Sequence, residues 1–411
     1  MQPELRTRKR SQMKFSPLVE RISGDGADAW LTHYEAGAAR DRGEDVIILS
    51  VGDPDLDTPP AVVDKAIERL RAGDTHYCPA SGRRSLREAI AASHAKRTGQ
   101  ITQAENVVFL SGAQNALFVA SLCIAGPGDE IISFDPMYPT YPATLQASGA
   151  RMVRAPTNGN FRPDLTALAS LITGHTRAIV WATPNNPSGV ILTEPELAAI
   201  GKLAEDHDLW VVSDEVYAGL APGGHIPSLA ARMPERVITL GSLSKSHAMT
   251  GWRAGWLVGP RQLAIHAESL VMCMLFGAPG FIQEAAITAL SIAPEAERRI
   301  REYCELRRAR MVAGLAGIPR IRVVVPEAGM FMLVDVRQTG LSGYEFMRAL
   351  YESQRVSVLD GAAFGRETAG FVRVCFAADE VSLDSGCERI RRFCEQLDGN
   401  RGGRNDEGSR A

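Results

Sequence analysis

The sequence predicts an α/β fold: a large domain with a mixed, mostly parallel sheet between helices, plus a smaller α+β domain. Two observations carry this. Between about Pro60 and Pro260, short apolar runs alternate with longer segments of helical period, the pattern of a parallel sheet covered by helices. After about Leu315 the texture changes to closely spaced strands with fewer helices. The 411 residues suit a large α/β core or two unequal domains.

Taken in order, "AVVDKAIERLRAG" and "RRSLREAIAASHAKRTG" have helical spacing, "NVVFLSG" reads as a strand and "AQNALFVASLCIAG" as a helix. "DEIISFDP" and "RAIVWATP" are strands with a helical pattern between them. The helix "EPELAAIGKLAEDHD" runs into the strand "LWVVSDE", and "RVITLGS" and "GWLVGP" close the series. A helical stretch spans about Arg261 to Leu315. The smaller domain then reads as the strand-rich "RIRVVVPEAGMFMLVDV", a helix around Gly343–Ser353, "VSVLD", "GFVRVCFA" and a final helix. The expected division is a tail and joining segment over 1–45, a large domain over 46–300, a small domain over 301–398 and a disordered tail over 399–411.

Composition excludes several classes. A formal net charge of −3 offers no field to recruit nucleic acid or an anionic membrane. No apolar stretch approaches the roughly 20 residues that span a bilayer. The seven cysteines are scattered and form no C-x-x-C pair, which argues against a metal site or disulfide framework and for a cytoplasmic location. The basic N-terminus "MQPELRTRKRSQMKF" is followed by no apolar core of a secretory signal.

Chemistry concentrates at the predicted strand ends, where open α/β sheets bind ligands. "VVSDEVY" places Asp214 at the end of an apolar strand, as a helix cap or as a buried carboxylate paired with a cation. "TPNNPSG" holds Asn186 on a turn stiffened by Pro187. "LSGAQNALF" joins strand to helix through Gly112, Ala113 and Gln114, whose amides suit a phosphate or simply make a tight turn. "SLSKSHAMTGWRAGW" sets Lys245 between two buried strands, where desolvation lowers its pKa and makes it a nucleophile able to form a Schiff base. A Schiff-base lysine, a strand-end aspartate and a phosphate turn are three parts that one cofactor needs, pyridoxal 5′-phosphate. Ser242, Ser244 and Arg253 then serve its phosphate. Gly251 supplies the freedom of this turn, and Trp252 and Trp256 pack.

From about Ser16 to Leu397 the chain resembles the class I/II pyridoxal-phosphate aminotransferases of transferase fold type I. The motifs that carry the resemblance stand in the family's order: "SVGDPDLDTP", "THYCPASGRRSLREAIA", "SGAQNALF", "DPMYPTYP", "NNPSG", "SDEVY", "SLSKSHAMTGWRAGW" and "VRVCFA". Within the family, "SKSHAMTGWRAGW", "CMLFGAPGFIQEAA" and "GMFMLVDVRQTGLS" most resemble transaminases that use arginine and pyruvate.

The resemblance implies that Lys245 holds the cofactor and shuttles a proton, and that Asp214 pairs with the pyridine nitrogen. It implies that Asn186 and Tyr217 bond the ring oxygen, that Tyr138 stacks on the ring, and that Tyr77 reaches the phosphate of a neighbouring subunit in a homodimer with shared sites. Arg373, helped by the Gly52 backbone, then clamps the substrate α-carboxylate. Each has a plainer reading: Tyr138 and Tyr217 as core aromatics, Arg373 as a surface ion-pair partner, His247 as packing. Gln114 stands where many members carry lysine or a small hydroxyl, leaving the role of its side chain open.

The implied reaction is a ping-pong transfer of an amino group, with arginine or another basic amino acid as donor and a 2-oxo acid such as pyruvate as acceptor. A cationic donor needs a partner at the pocket mouth, for which "RISGDGADAW" offers Asp25 and Asp28, of which Asp25 could instead cap a helix. The same fold also hosts aspartate, aromatic and neutral amino-acid aminotransferases and β-lyases. A cofactor-sensing regulator would need a longer N-terminal DNA-binding domain than the segment here allows.

Overall fold

The computed structural model describes residues 13–22 and 30–405, with side chains to residue 397. Among the described residues, thirteen strands fall into three sheets. The large sheet is built from β2 (Val107–Leu110), β3 (Glu130–Phe134), β4 (Arg151–Ala155), β5 (Thr176–Ala182), β6 (Trp210–Asp214), β7 (Val237–Ser242) and β8 (Gly255–Val258). Their order is β2-β8-β7-β6-β5-β3-β4. Every neighbouring pair is parallel except those that β8 makes with β2 and β7.

Both faces of this sheet are covered, so its strands are apolar at successive positions. Val180, Val212 and Ile238 pack with Ala116 and Leu117 of the Ala113–Ile124 helix, while Ile179, Trp181 and Val211 pack on the other face with Leu197 and Ile200. Because β2 and β5 to β7 run the same way, their carboxyl ends deliver Ser111, Ala182, Asp214 and Ser242 to one edge. That edge is where the site forms.

The smaller sheet combines β9 (Arg322–Val324), β10 (Phe331–Asp335), β12 (Leu359–Asp360) and β13 (Phe371–Cys375) in the antiparallel order β12-β13-β10-β9. A separate parallel pair joins β1 (Ile47–Ile48) to β11 (Val356–Ser357). The expected division at residue 300 falls inside the helix Ala293–Leu315, so a continuous helix leads from one sheet to the other.

Three local differences from the sequence reading have physical causes. The stretch between "DEIISFDP" and "RAIVWATP" contains β4 as well as a helix; β4 carries Arg151 and Arg154 outward as an edge strand, which hides its period. The run from Arg261 to Leu315 is three helices, broken at Leu275–Pro279, where Phe276 and Gly277 take positive φ, and again at Ile292. The last helix, Glu380–Asn405, continues past the expected start of the tail at 399, since no proline stops its propagation.

Candidate active site

A cavity of about 360 Å³ opens at the carboxyl ends of β5 to β7 and is closed on its far side by Phe331 and Arg373 of the small sheet. Lys245, three residues beyond β7, projects into it. Its Nζ donates to the Gly52 carbonyl at 2.6 Å. Burial pushes the ammonium pKa down against the opposing field of Asp53, and Arg373 and Arg253 add to the depression.

Asp214 ends β6 and is buried. Its carboxylate accepts from the Tyr141 hydroxyl at 2.6 Å and from the Val216 amide at 3.2 Å. Desolvation outweighs these two bonds and raises the Asp214 pKa to about 6. No lysine, arginine or histidine among the described residues pairs with it, so the site holds an acid that lacks its cation.

Asn186 stands between two partners. Its amide nitrogen donates to the Tyr217 hydroxyl at 3.3 Å, and its oxygen accepts from Arg373 Nη1 at 3.0 Å. Arg373 is only 1% exposed, which rules out the surface ion-pair reading. Nη2 donates to the Ser50 carbonyl at 2.6 Å, and the guanidinium lies 3.9 Å from the Phe331 ring centre and 4.7 Å from that of Phe364. Its Nε has no partner. A buried guanidinium whose Nε is unbonded and which meets no carboxylate among the described residues is suited to an anion.

The other end of the cavity is built from the start of the Ala113–Ile124 helix and the turn after β7. Gly112 caps the helix at φ 88°, and a Cβ there would sit 2.5 Å from Arg253 Nη2. The backbone of Ala113 and Gln114 lines the cavity beside Ser242, Ser244 and Arg253. Ser242 Oγ is held by Ser244 and the Ala254 carbonyl, while Arg253 donates to the carbonyls of Thr250 and Ser111. The Gln114 side chain bridges Thr140 and Thr144.

Positive φ in this turn falls on Ala248 and Arg253, not on Gly251, whose expected conformational role is therefore absent. His247 points away, bonded to Ser246 and to the Ala289 carbonyl. Trp252 donates to Thr58, and Trp256 packs under Gly241.

Tyr138 lines the same cavity, edge-on to Tyr141 with ring centres 6.3 Å apart. Gly52 is required by contact: a Cβ would come 2.1 Å from Phe331 Cζ. Tyr77 lies outside its own chain's cavity, 86% exposed and 4.7 Å from the Phe276 ring. Asp25 and Asp28 lie outside the described residues.

Sequence reasoning missed Tyr141, Ser50, Phe331 and Trp30. Tyr141 had a signal: it stands three residues after Tyr138 in a tyrosine- and proline-rich turn, where its amide closes onto the Tyr138 carbonyl. Ser50 acts through its carbonyl, and no residue type signals that.

Comparison with known proteins gives concordant findings. The model of the family described as "Aminotransferase class I and II" matches residues 44–390. The arginine–pyruvate transaminase of Pseudomonas aeruginosa is 46% identical over 390 residues, covering 94% of this chain and 99% of the relative. An aspartate aminotransferase of Pyrococcus horikoshii is 35% identical over 359 residues, 86% of this chain and 91% of its own. Among solved structures, the aspartate aminotransferase from Thermus thermophilus with maleate superposes with a TM-score of 0.88 at 30% identity, covering 93% of this chain and all of that one.

Proposed function

This chain belongs to the class I and II aminotransferase family, and from that premise we propose that it transfers the α-amino group of arginine, or another basic amino acid, to pyruvate. The arginine donor and pyruvate acceptor rest on the name of the 46% identical relative. The donor leaves as a 2-oxo acid before pyruvate enters, a ping-pong order.

The residues present fit pyridoxal 5′-phosphate. The buried Asp214 that lacks a cation suits a protonated ring nitrogen, and the helix start at Gly112 with Ser242, Ser244 and Arg253 suits a phosphate. Lys245 would hold the group through its amine, Asn186 and Tyr217 would bond its ring oxygen, and Tyr138 would lie against its face. When bound, this cofactor supplies an electron sink that acidifies the substrate Cα–H.

The chain's own groups do the rest. Arg373, held by Asn186 and Ser50, binds the α-carboxylate and fixes the orientation of Cα. The Lys245 amine, its pKa lowered by burial, takes the proton from Cα. Gly52 supports the carboxylate site and, through its carbonyl, aims the lysine.

The observation that carries this reading is the meeting of Lys245, Asp214 and Arg373 in one cavity. A dicarboxylate donor would need a second free cation beyond Arg373. The other arginine lining the cavity among the described residues, Arg253, faces the phosphate end, so aspartate is the weaker choice. A β-lyase would release pyruvate and ammonia without any acceptor.

A homodimer sharing its sites is part of the proposal, supported by the exposure of Tyr77 beside Phe276. A place in the cytoplasm is part of the proposal, in keeping with scattered cysteines that form no C-x-x-C pair. No helix among the described residues is long and apolar enough to cross a membrane. The test is to add single amino acids to the cofactor-loaded protein and follow its visible absorbance. Arginine should discharge the band and pyruvate restore it; no response to arginine would refute the donor.

A further inference from the structure

We propose that Trp30 forms the wall that recognises the cationic side chain of the donor, by the attraction of its ring for a guanidinium. The inference rests on the arginine reading above and names how that side chain is selected.

Among the described residues lining the cavity, Asp214 is the sole carboxylate, and it lies at the floor under the Tyr141 hydroxyl. A guanidinium reaching away from Arg373 therefore meets no acid among the described residues that line the cavity; the nearby Asp53 accepts from the Thr250 hydroxyl. It does meet an aromatic wall. Tyr138, Tyr141 and Tyr217 belong to the cofactor side, and Phe331 is already covered by Arg373. Trp30, half-buried at the cavity, is the aromatic residue left to face the donor. An indole face is the best of the natural rings for a cation.

Trp30 is also held in register with the carboxylate clamp. It precedes the helix Leu31–Asp41, which is tied down by Arg348 through Thr32 and Glu35. His33, one turn on, meets the Trp30 ring edgewise at 5.8 Å and bonds Ser50 Oγ at 2.9 Å. The Ser50 carbonyl is the acceptor that holds Arg373. One short chain of contacts thus fixes the distance between the α-carboxylate site and the ring.

The test compares arginine, its neutral planar isostere citrulline, and alanine as donors to the holoenzyme, with calorimetric binding of α-methylarginine, which has no Cα proton to lose. In Trp30→Ala, kcat/KM for arginine should fall about 10-fold and α-methylarginine should bind about 10-fold more weakly, with alanine unchanged and citrulline reduced less than about threefold. Trp30→Phe should fall between wild type and Trp30→Ala, which separates loss of the ring from loss of folding. An equal fall for arginine and alanine would make Trp30 mere packing and overturn the proposal. So would a loss of arginine preference in Asp25→Ala/Asp28→Ala but not in Trp30→Ala. A wild-type enzyme inactive on arginine would refute the donor reading itself, a separate outcome.

Discussion

The Tyr141 hydroxyl donates to the buried Asp214 carboxylate across 2.6 Å, and it does so from a helix that begins at Tyr141 itself. The bond opposes the desolvation that lifts the Asp214 pKa to about 6. It keeps the acid available as an anion at neutral pH, where the ring nitrogen of the proposed cofactor would need it.

Removing that hydroxyl in Tyr141→Phe should therefore raise the Asp214 pKa further. The acid limb of the cofactor-affinity profile should move upward by about one pH unit, and affinity at neutral pH should fall about 10-fold. Profiles of the two proteins measured side by side check this. An unmoved limb would mean that the bond does not tune Asp214.

Arg373→Lys replaces a forked, planar donor with a point charge in a site shaped for the former. The lost pair of charge-assisted bonds is worth about 3 kcal/mol, so KM for both amino acid and 2-oxo acid should rise about 100-fold. The visible band of bound cofactor should stay in place, because the proposal assigns Arg373 to the substrate and not to the cofactor. Steady-state kinetics with a spectrum of each preparation separates the two effects.

Gly52→Ala places a methyl 2.1 Å from Phe331 Cζ, so the ring must move. Phe331 supports the Arg373 guanidinium, and its displacement should raise KM while costing about 1–3 kcal/mol of stability by overpacking. Thermal unfolding and kinetics on the same protein should show both losses together.

His94 and His247 are buried, and burial lowers each pKa to about 4. In the unfolded chain both take up protons near pH 6.5, so stability from these groups is complete above that pH and is lost as pH falls toward 4. Each contributes at most about 3 kcal/mol to the loss. Asp214, with its pKa raised from 3.8 to about 6, acts oppositely: folded protein without cofactor gains from it as pH falls through 6. Denaturant melts of the cofactor-free protein at pH 7 and pH 5 should show a net acid loss. The double variant His94→Gln/His247→Gln should show a gain instead.

How far the sequence revealed the site depends on what each residue does. Lys245 and Asp214 are legible because a charged residue at the end of an apolar strand conflicts with its surroundings, and that conflict marks chemistry. β4 is not legible, since Arg151 and Arg154 on an edge strand mask the apolar period. Tyr141 and Trp30 read as ordinary aromatics because their partners come from residues far along the chain. Gly251 misleads for a related reason: the left-handed positions fall on Ala248 and Arg253, where Arg253 must turn back toward the Ser111 carbonyl.

The central claim is that Lys245 is the amine that holds the cofactor. Reducing the cofactor-loaded protein with borohydride, digesting it and sequencing the labelled peptide by mass spectrometry tests this directly. The label is expected on Lys245 alone, with Lys245→Ala giving neither label nor visible band. A label on another lysine, or a visible band that survives in Lys245→Ala, would contradict it.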